Sequence, residues 1–130
     1  MEIVDFAEEH LDGVLRLTAA EGWPSLAADP ARALRVLTAP GARSVVAVED
    51  GAVVGFAWAL TDGEITSYLS ELVVAPELRG QRIGARLIEA IFARCGTARL
   101  DLLAEDGSEG FYERLLHRRL PGFRVYPGSE

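Results

Sequence analysis

Lysine is absent from this chain: its 13 basic residues are all arginine. No side-chain amine is therefore available as a nucleophile or Schiff base. Cysteine occurs once, at Cys95, so no intrachain disulfide can form, and a reducing cytoplasm is the default compartment. Only two histidines occur, His10 and His117. Neither has a Cys or His partner at metal-ligand spacing, so no metal site is expected. No apolar run approaches the roughly 20 residues that span a bilayer. The opening Met1-Glu2-Ile3-Val4-Asp5 is acidic and lacks a signal-peptide pattern. We expect neither a membrane partner nor export. Positive charge is in deficit, with 20 acidic residues and a net charge of −7. That argues against general nucleic-acid binding, which needs many phosphate contacts from basic residues. Acidity is compatible with a cationic substrate, but solubility alone also explains it.

What is present is one globular domain. A length of 130 residues and a hydrophobic content of 49% support a single core over residues 1–130. The chain is organised around Glu71 to Ile88. The apolar run Leu72-Val73-Val74-Ala75 reads as a buried strand and ends at Pro76, which cannot continue a ladder. From Ile83 the apolar positions Ile83, Leu87, Ile88, Ile91 and Phe92 fall on one helical face. Between strand and helix lie Gly80 and Gly84, flanked by Arg79, Arg82 and Arg86. Glycine lets backbone approach a ligand, and a helix N-terminus offers unpaired N–H groups and partial positive charge. The stretch is thus a candidate pyrophosphate cradle. It lacks the Gly-Lys-Ser/Thr ending of a nucleotide-triphosphate loop and the spacing of a dinucleotide fingerprint.

The rest of the chain reads in order. Glu2–Phe6 is a short strand, and residues 7–21 form a helix with Leu11, Val14, Leu15 and Thr18 on one stripe. Gly22-Trp23-Pro24 breaks it. Asp29 caps a second helix, with Pro30 at its first position, ending at Pro40-Gly41. Strands at 44–48, 53–60 and 64–75, joined by turns at Asp50-Gly51 and Asp62-Gly63, make an antiparallel meander. After the central helix, Gly96 suits a left-handed C-terminal position. Residues 99–103 form a strand parallel to the long one, because a helix crosses between them. Asp106 or Ser108 caps a further helix, whose apolar stripe is Phe111, Leu115 and Leu116. Phe123–Tyr126 is a last strand.

The order and the Arg79-x-x-Arg82-x-Gly84 loop, preceded by Pro76-Glu77-x-Arg79-Gly80, resemble the GNAT superfamily of N-acetyltransferases, whose signature is Arg/Gln-x-x-Gly-x-Gly/Ala. The resemblance covers essentially the whole chain. It implies an α/β GNAT fold, a mixed, mostly antiparallel sheet with helices on both faces. Two departures stand out. Arg82 replaces the first Gly of the signature, and we expect it to hold a helical backbone. After Phe111-Tyr112-Glu113 the chain has room for one good strand rather than the family's hairpin, which leaves the rear wall of the acceptor site and any homodimer contact open.

The resemblance implies acetyl transfer from acetyl-CoA to a primary amine by direct attack, with no covalent enzyme intermediate. Amides from Gly80, Gln81, Arg82, Ile83, Gly84 and Ala85, with Arg79 and Arg86 nearby, would hold the pyrophosphate of coenzyme A. The backbone of Leu72, Val73 and Val74, splayed from its parallel neighbour by a bulge, would pair with the pantetheine arm. The Val73 N–H would polarise the thioester carbonyl, a role worth roughly 3 kcal/mol of barrier. Ser108 and Tyr112 would also touch the cofactor, and the Tyr112 hydroxyl would protonate the departing thiolate. Each has a plainer reading as core strand, ordinary turn or packed ring.

Glu71 is a carboxylate in an apolar strand, and such a group needs a reason. It could deprotonate an ammonium acceptor or simply pair outward with an arginine. Trp23 and Tyr68 are candidate walls of the acceptor pocket, or packing. His117 stands where the family usually has Phe and is a further substrate candidate, or a solvated helix end. Against the enzyme reading stands a non-catalytic CoA-binding or regulatory module.

Overall fold

The computed structural model describes residues 1–128. Five strands form one sheet in the order β1-β2-β3-β4-β5. They are β1 (Glu2–Asp5), β2 (Ala42–Glu49), β3 (Ala52–Thr61), β4 (Thr66–Val74) and β5 (Arg99–Asp101). The first four pair antiparallel, and β5 runs parallel to β4. The helices are α1 (Leu11–Ala20), α2 (Pro24–Ala27), α3 (Pro30–Leu37), α4 (Ile83–Cys95) and α5 (Glu109–Glu113).

Local chemistry explains the joints. Asp50 and Gly51 both take positive φ, 51° and 79°, the conformation that a two-residue hairpin turn demands. The Asp29 carboxylate accepts the Arg32 N–H at 3.2 Å, and Pro30 occupies the first turn of α3. Gly96 ends α4 at φ 66°.

The sheet is buried on both faces. Val14, Leu26, Ala33 and Leu37 of α1, α2 and α3 pack on Val46, Phe56 and Val73. On the opposite face, Ile83, Leu87, Ile88, Ile91 and Cys95 of α4 pack on Val45, Ala47, Ala57, Ala59 and Leu69. Neighbours in one strand thus serve opposite cores, as the two-residue period requires. Leu87 and Ile91 are fully buried, and each burial contributes about 2 kcal/mol.

Two irregularities of β4 open this sheet on one side. Trp58 of β3 lies opposite Glu71, but the next residue, Ala59, lies opposite Leu69. Ser70 is therefore an extra residue, a β-bulge that bends its strand. On its other side β4 pairs with β5 only from Thr66 to Tyr68. Beyond that the two strands part.

Several expectations need correction. The first helix begins with a 3₁₀ turn, Glu8–His10, before α1, and the Trp23-Pro24 break contains the short α2. Strand β5 stops at Asp101, not Leu103, and α5 covers five residues. Leu116 is fully exposed, so the stripe of α5 ends early. Residues 123–126 form no strand. Phe123 and Val125 are 84% and 87% exposed. Alternating apolar residues make a strand only where a neighbour covers one face, and among the described residues none covers these.

Candidate active site

A cleft of about 1080 Å³ opens where β4 and β5 part. Its floor is β4, its far end is the N-terminus of α4, and its sides come from the Trp23 region and from α5. It gathers most of the residues singled out from the sequence: Trp23, Tyr68, Glu71, Leu72, Val73, Val74, Arg79, Gly80, Arg82, Ile83, Gly84, Ala85, Ser108 and Tyr112. Gln81 and Arg86 are exposed beside it rather than in its wall. His117 lies outside, exposed, with its ring nitrogen 2.8 Å from the Leu115 carbonyl. It ends no helix, because α5 has already stopped.

The α4 end is built as a row of free donors. Helix α4 has no side-chain cap. Among the described residues, no hydrogen bond runs from the amides of residues 80–85 to a protein acceptor. Gly80 adopts φ 86° and Arg82 φ 64°. The arginine is thus left-handed rather than helical, the conformation for which glycine is the natural residue. Gly84 has a different purpose. A Cβ there would lie 3.1 Å from the Phe111 ring, so its absence lets α5 close on α4. Ser108 does not cap α5; its hydroxyl donates to the Glu105 carbonyl at 2.7 Å.

The open edge of β4 supplies further unpaired backbone, though not where expected. The Ala75 N–H donates to the Val54 carbonyl at 2.9 Å. With Val73 opposite Phe56 and Val74 opposite Gly55, the strand period also turns the Val73 and Glu71 amides toward β3. The amides facing the cleft are those of Leu72 and Val74. The Val73 N–H, expected to face the cleft, points to β3 instead, because the register gives that direction to its two neighbours. Arg79 folds back here. Its Nε donates to the Val74 carbonyl at 3.3 Å, and its guanidinium pairs with Glu21.

Two titratable groups of shifted pKa line the cleft, Glu71 and Tyr112. Glu71 is half-buried and accepts a hydrogen bond from the Trp58 indole N–H at 2.8 Å. Burial raises its carboxyl above the usual range, and the indole bond partly offsets this. Among the described residues it pairs with no arginine. Tyr112 packs edge-on against Phe111, with ring centroids 4.9 Å apart, and burial pushes its hydroxyl up to about 12. Trp58 was not a sequence candidate. Its meeting with Glu71 depends on the Ser70 bulge, which shifts the count across the hairpin by one. Arg124 also reaches the cleft wall, from a segment with no regular structure.

The profile of the acetyltransferase (GNAT) family matches residues 5–117. The chain belongs to this family. Solved structures agree with that fold. An acetyltransferase from Trypanosoma brucei superposes with a TM-score of 0.77 at 23% identity, over 96% of this chain and 98% of that one. A ribosomal-protein-alanine N-acetyltransferase from Brucella melitensis gives 0.78 at 20% identity, over 96% of each. The aminoglycoside N-acetyltransferase AAC(6')-Iy in complex with CoA gives 0.74 at 19% identity, over 96% and 97%. At these identities the likeness is one of fold. No curated protein matches by sequence.

Proposed function

We propose that the chain transfers an acetyl group from acetyl-CoA to a primary amine within a ternary complex. The observation that carries this is the continuity of one cleft from the unpartnered amides of residues 80–85, past the open edge of β4, to Glu71. The residues present suit a pyrophosphate-bearing thioester. The uncapped helix end attracts the doubly charged group. The amides of Leu72 and Val74 point to the side where a pantetheine amide would run.

Acetyl-CoA supplies an activated carbonyl. The chain supplies position and proton handling. Glu71 takes a proton from the incoming ammonium, and the neutral amine nitrogen then attacks the thioester carbon. A C–N bond forms, the C–S bond breaks, and sulfur leaves with the electron pair. The nitrogen sheds its second proton, sulfur gains one, and the sum is amide, thiol and one proton released. The Leu72 or Val74 N–H stabilises the oxygen that gains charge. Tyr112 donates a hydrogen bond to sulfur. Burial, which pushes that hydroxyl up to about 12, keeps Tyr112 protonated at neutral pH and so available as a donor. The acidic composition and aromatic walls support a cationic acceptor.

Ala85→Glu tests this reading. Residue 85 is the third of α4, where a glutamate reaches back to the N-cap amide and favours the helix dipole. The fold should hold or gain about 0.5 kcal/mol, while the new carboxylate occupies the cradle. Titration calorimetry should show at least a tenfold weaker acetyl-CoA complex. Unchanged affinity in a folded variant would refute the cradle. Thiol release with a panel of amines separates an enzyme from a module that only binds.

A further inference from the structure

We infer that Trp58 is the positioning residue for Glu71: its indole N–H holds one carboxylate oxygen so that the other faces the acceptor amine. The inference rests on the acetyltransferase reading and adds a residue to it. Trp58 and Glu71 lie directly opposite on β3 and β4, and the N–H to Oε1 distance is 2.8 Å. Both line the cleft. Among the described residues Oε2 makes no hydrogen bond, and no buried side-chain oxygen lacks a partner. Oε2 is therefore open to the cleft. An exposed carboxylate rotates freely about its last bond; one held by a rigid, packed indole does not. The Trp58 ring packs with the Val14, Leu26 and Phe56 cluster, so the donor itself is fixed. With Ser70 present, an unbulged strand would set Ser70 itself opposite Trp58; bulging it out leaves that place to Glu71.

Other groups do not compete for this role. Tyr68 on β4, Glu21 after α1, Tyr112 on α5, and Glu105 and Asp106 before α5 share the cleft. None makes a hydrogen bond to Glu71 among the described residues. Arg79 is engaged with Glu21. Arg82, Arg114 and Arg124 also line the wall, and arginines do not deprotonate in proteins, so they add no titration step.

The experiment is a double-mutant cycle with Trp58→Phe and Glu71→Gln; the phenylalanine keeps the aromatic packing and removes the N–H. Trp58→Phe should lower kcat/KM at pH 7 about tenfold, the size of one hydrogen bond to a charged group. Its acidic limb should move to higher pH. In the Glu71→Gln background the same change should cost less than twofold. An equal loss in both backgrounds would assign Trp58 to the pocket wall alone and overturn the inference. Carboxyl carbon NMR of Glu71 gives a readout free of turnover. Its titration midpoint should rise in Trp58→Phe, and an unmoved midpoint would also overturn the inference. If the wild type releases no thiol with any amine yet the midpoint moves, the acetyltransferase reading fails while the hydrogen bond stands.

Discussion

At the scale of single residues, two side chains occupy places that cost stability. Arg82 holds φ 64°, and a left-handed backbone costs a residue with a Cβ about 1–2 kcal/mol. Arg82→Gly should therefore raise stability by about 0.5–1 kcal/mol, the strain relieved less the greater freedom of glycine in the unfolded chain. Denaturant titration measures it, and a destabilised variant would mean that the Arg82 side chain contributes more than its backbone costs. Glu71 is the second. Its folded pKa lies above the unfolded value, because burial disfavours the charge. Stability from such a group is whole below the unfolded value near 4.5 and declines as pH rises through the folded one. Glu71→Gln should raise the thermal midpoint at pH 7 and leave it unchanged at pH 3.5. A variant no more stable at pH 7 would show the carboxylate to be well solvated. The loop and the carboxylate were both legible from residue types, since glycines between arginines and an acid in an apolar run are local signals. The backbone of Arg82, the direction of the Val73 amide and the partner of Glu71 were not. Each depends on register or on a dihedral angle, which composition does not encode.

At the scale of elements, the cleft depends on one extra residue in β4. The meander and the parallel crossover could be read from turn chemistry and connection length, and they form as expected. The bulge was expected only by likeness to the family, and its position at Ser70 emerges from pairing. Deleting Ser70 would leave Glu71 opposite Trp58 and Leu69 opposite Ala59, now as consecutive pairs. Both core faces would keep their side chains, because Leu69 and Glu71 would alternate normally. The fold should survive, with a thermal midpoint within about 5 °C of the parent. The straightened strand should close against the segment after β5, and acetyl-CoA binding should be lost. A deletion variant that binds acetyl-CoA normally would show that the parting of β4 and β5 needs no bulge.

At the scale of the whole molecule, the chain divides into a two-faced core and a segment that adds little to it. Helices α1, α2 and α3 on one side and α4 on the other enclose β2, β3 and β4. After α5 the chain carries Leu116, Leu120, Phe123, Val125 and Tyr126, all exposed. Alternation alone predicts a strand here, but it does not reveal whether an adjacent edge is available. Side chains that stay in water contribute almost none of the roughly 25 cal/mol per Å² that burial yields. A chain ending at Arg118 should therefore unfold within about 3 °C of the parent, since α4 and the meander are untouched. Its acetyl-CoA affinity should also hold, because the free amides lie at the α4 end of the cleft. Acceptor KM is the quantity that should move, through loss of Arg124 from the wall. Differential scanning calorimetry together with amine saturation curves measures both. A fall of about 10 °C or more would mean that the terminal segment closes the core, which its exposure contradicts.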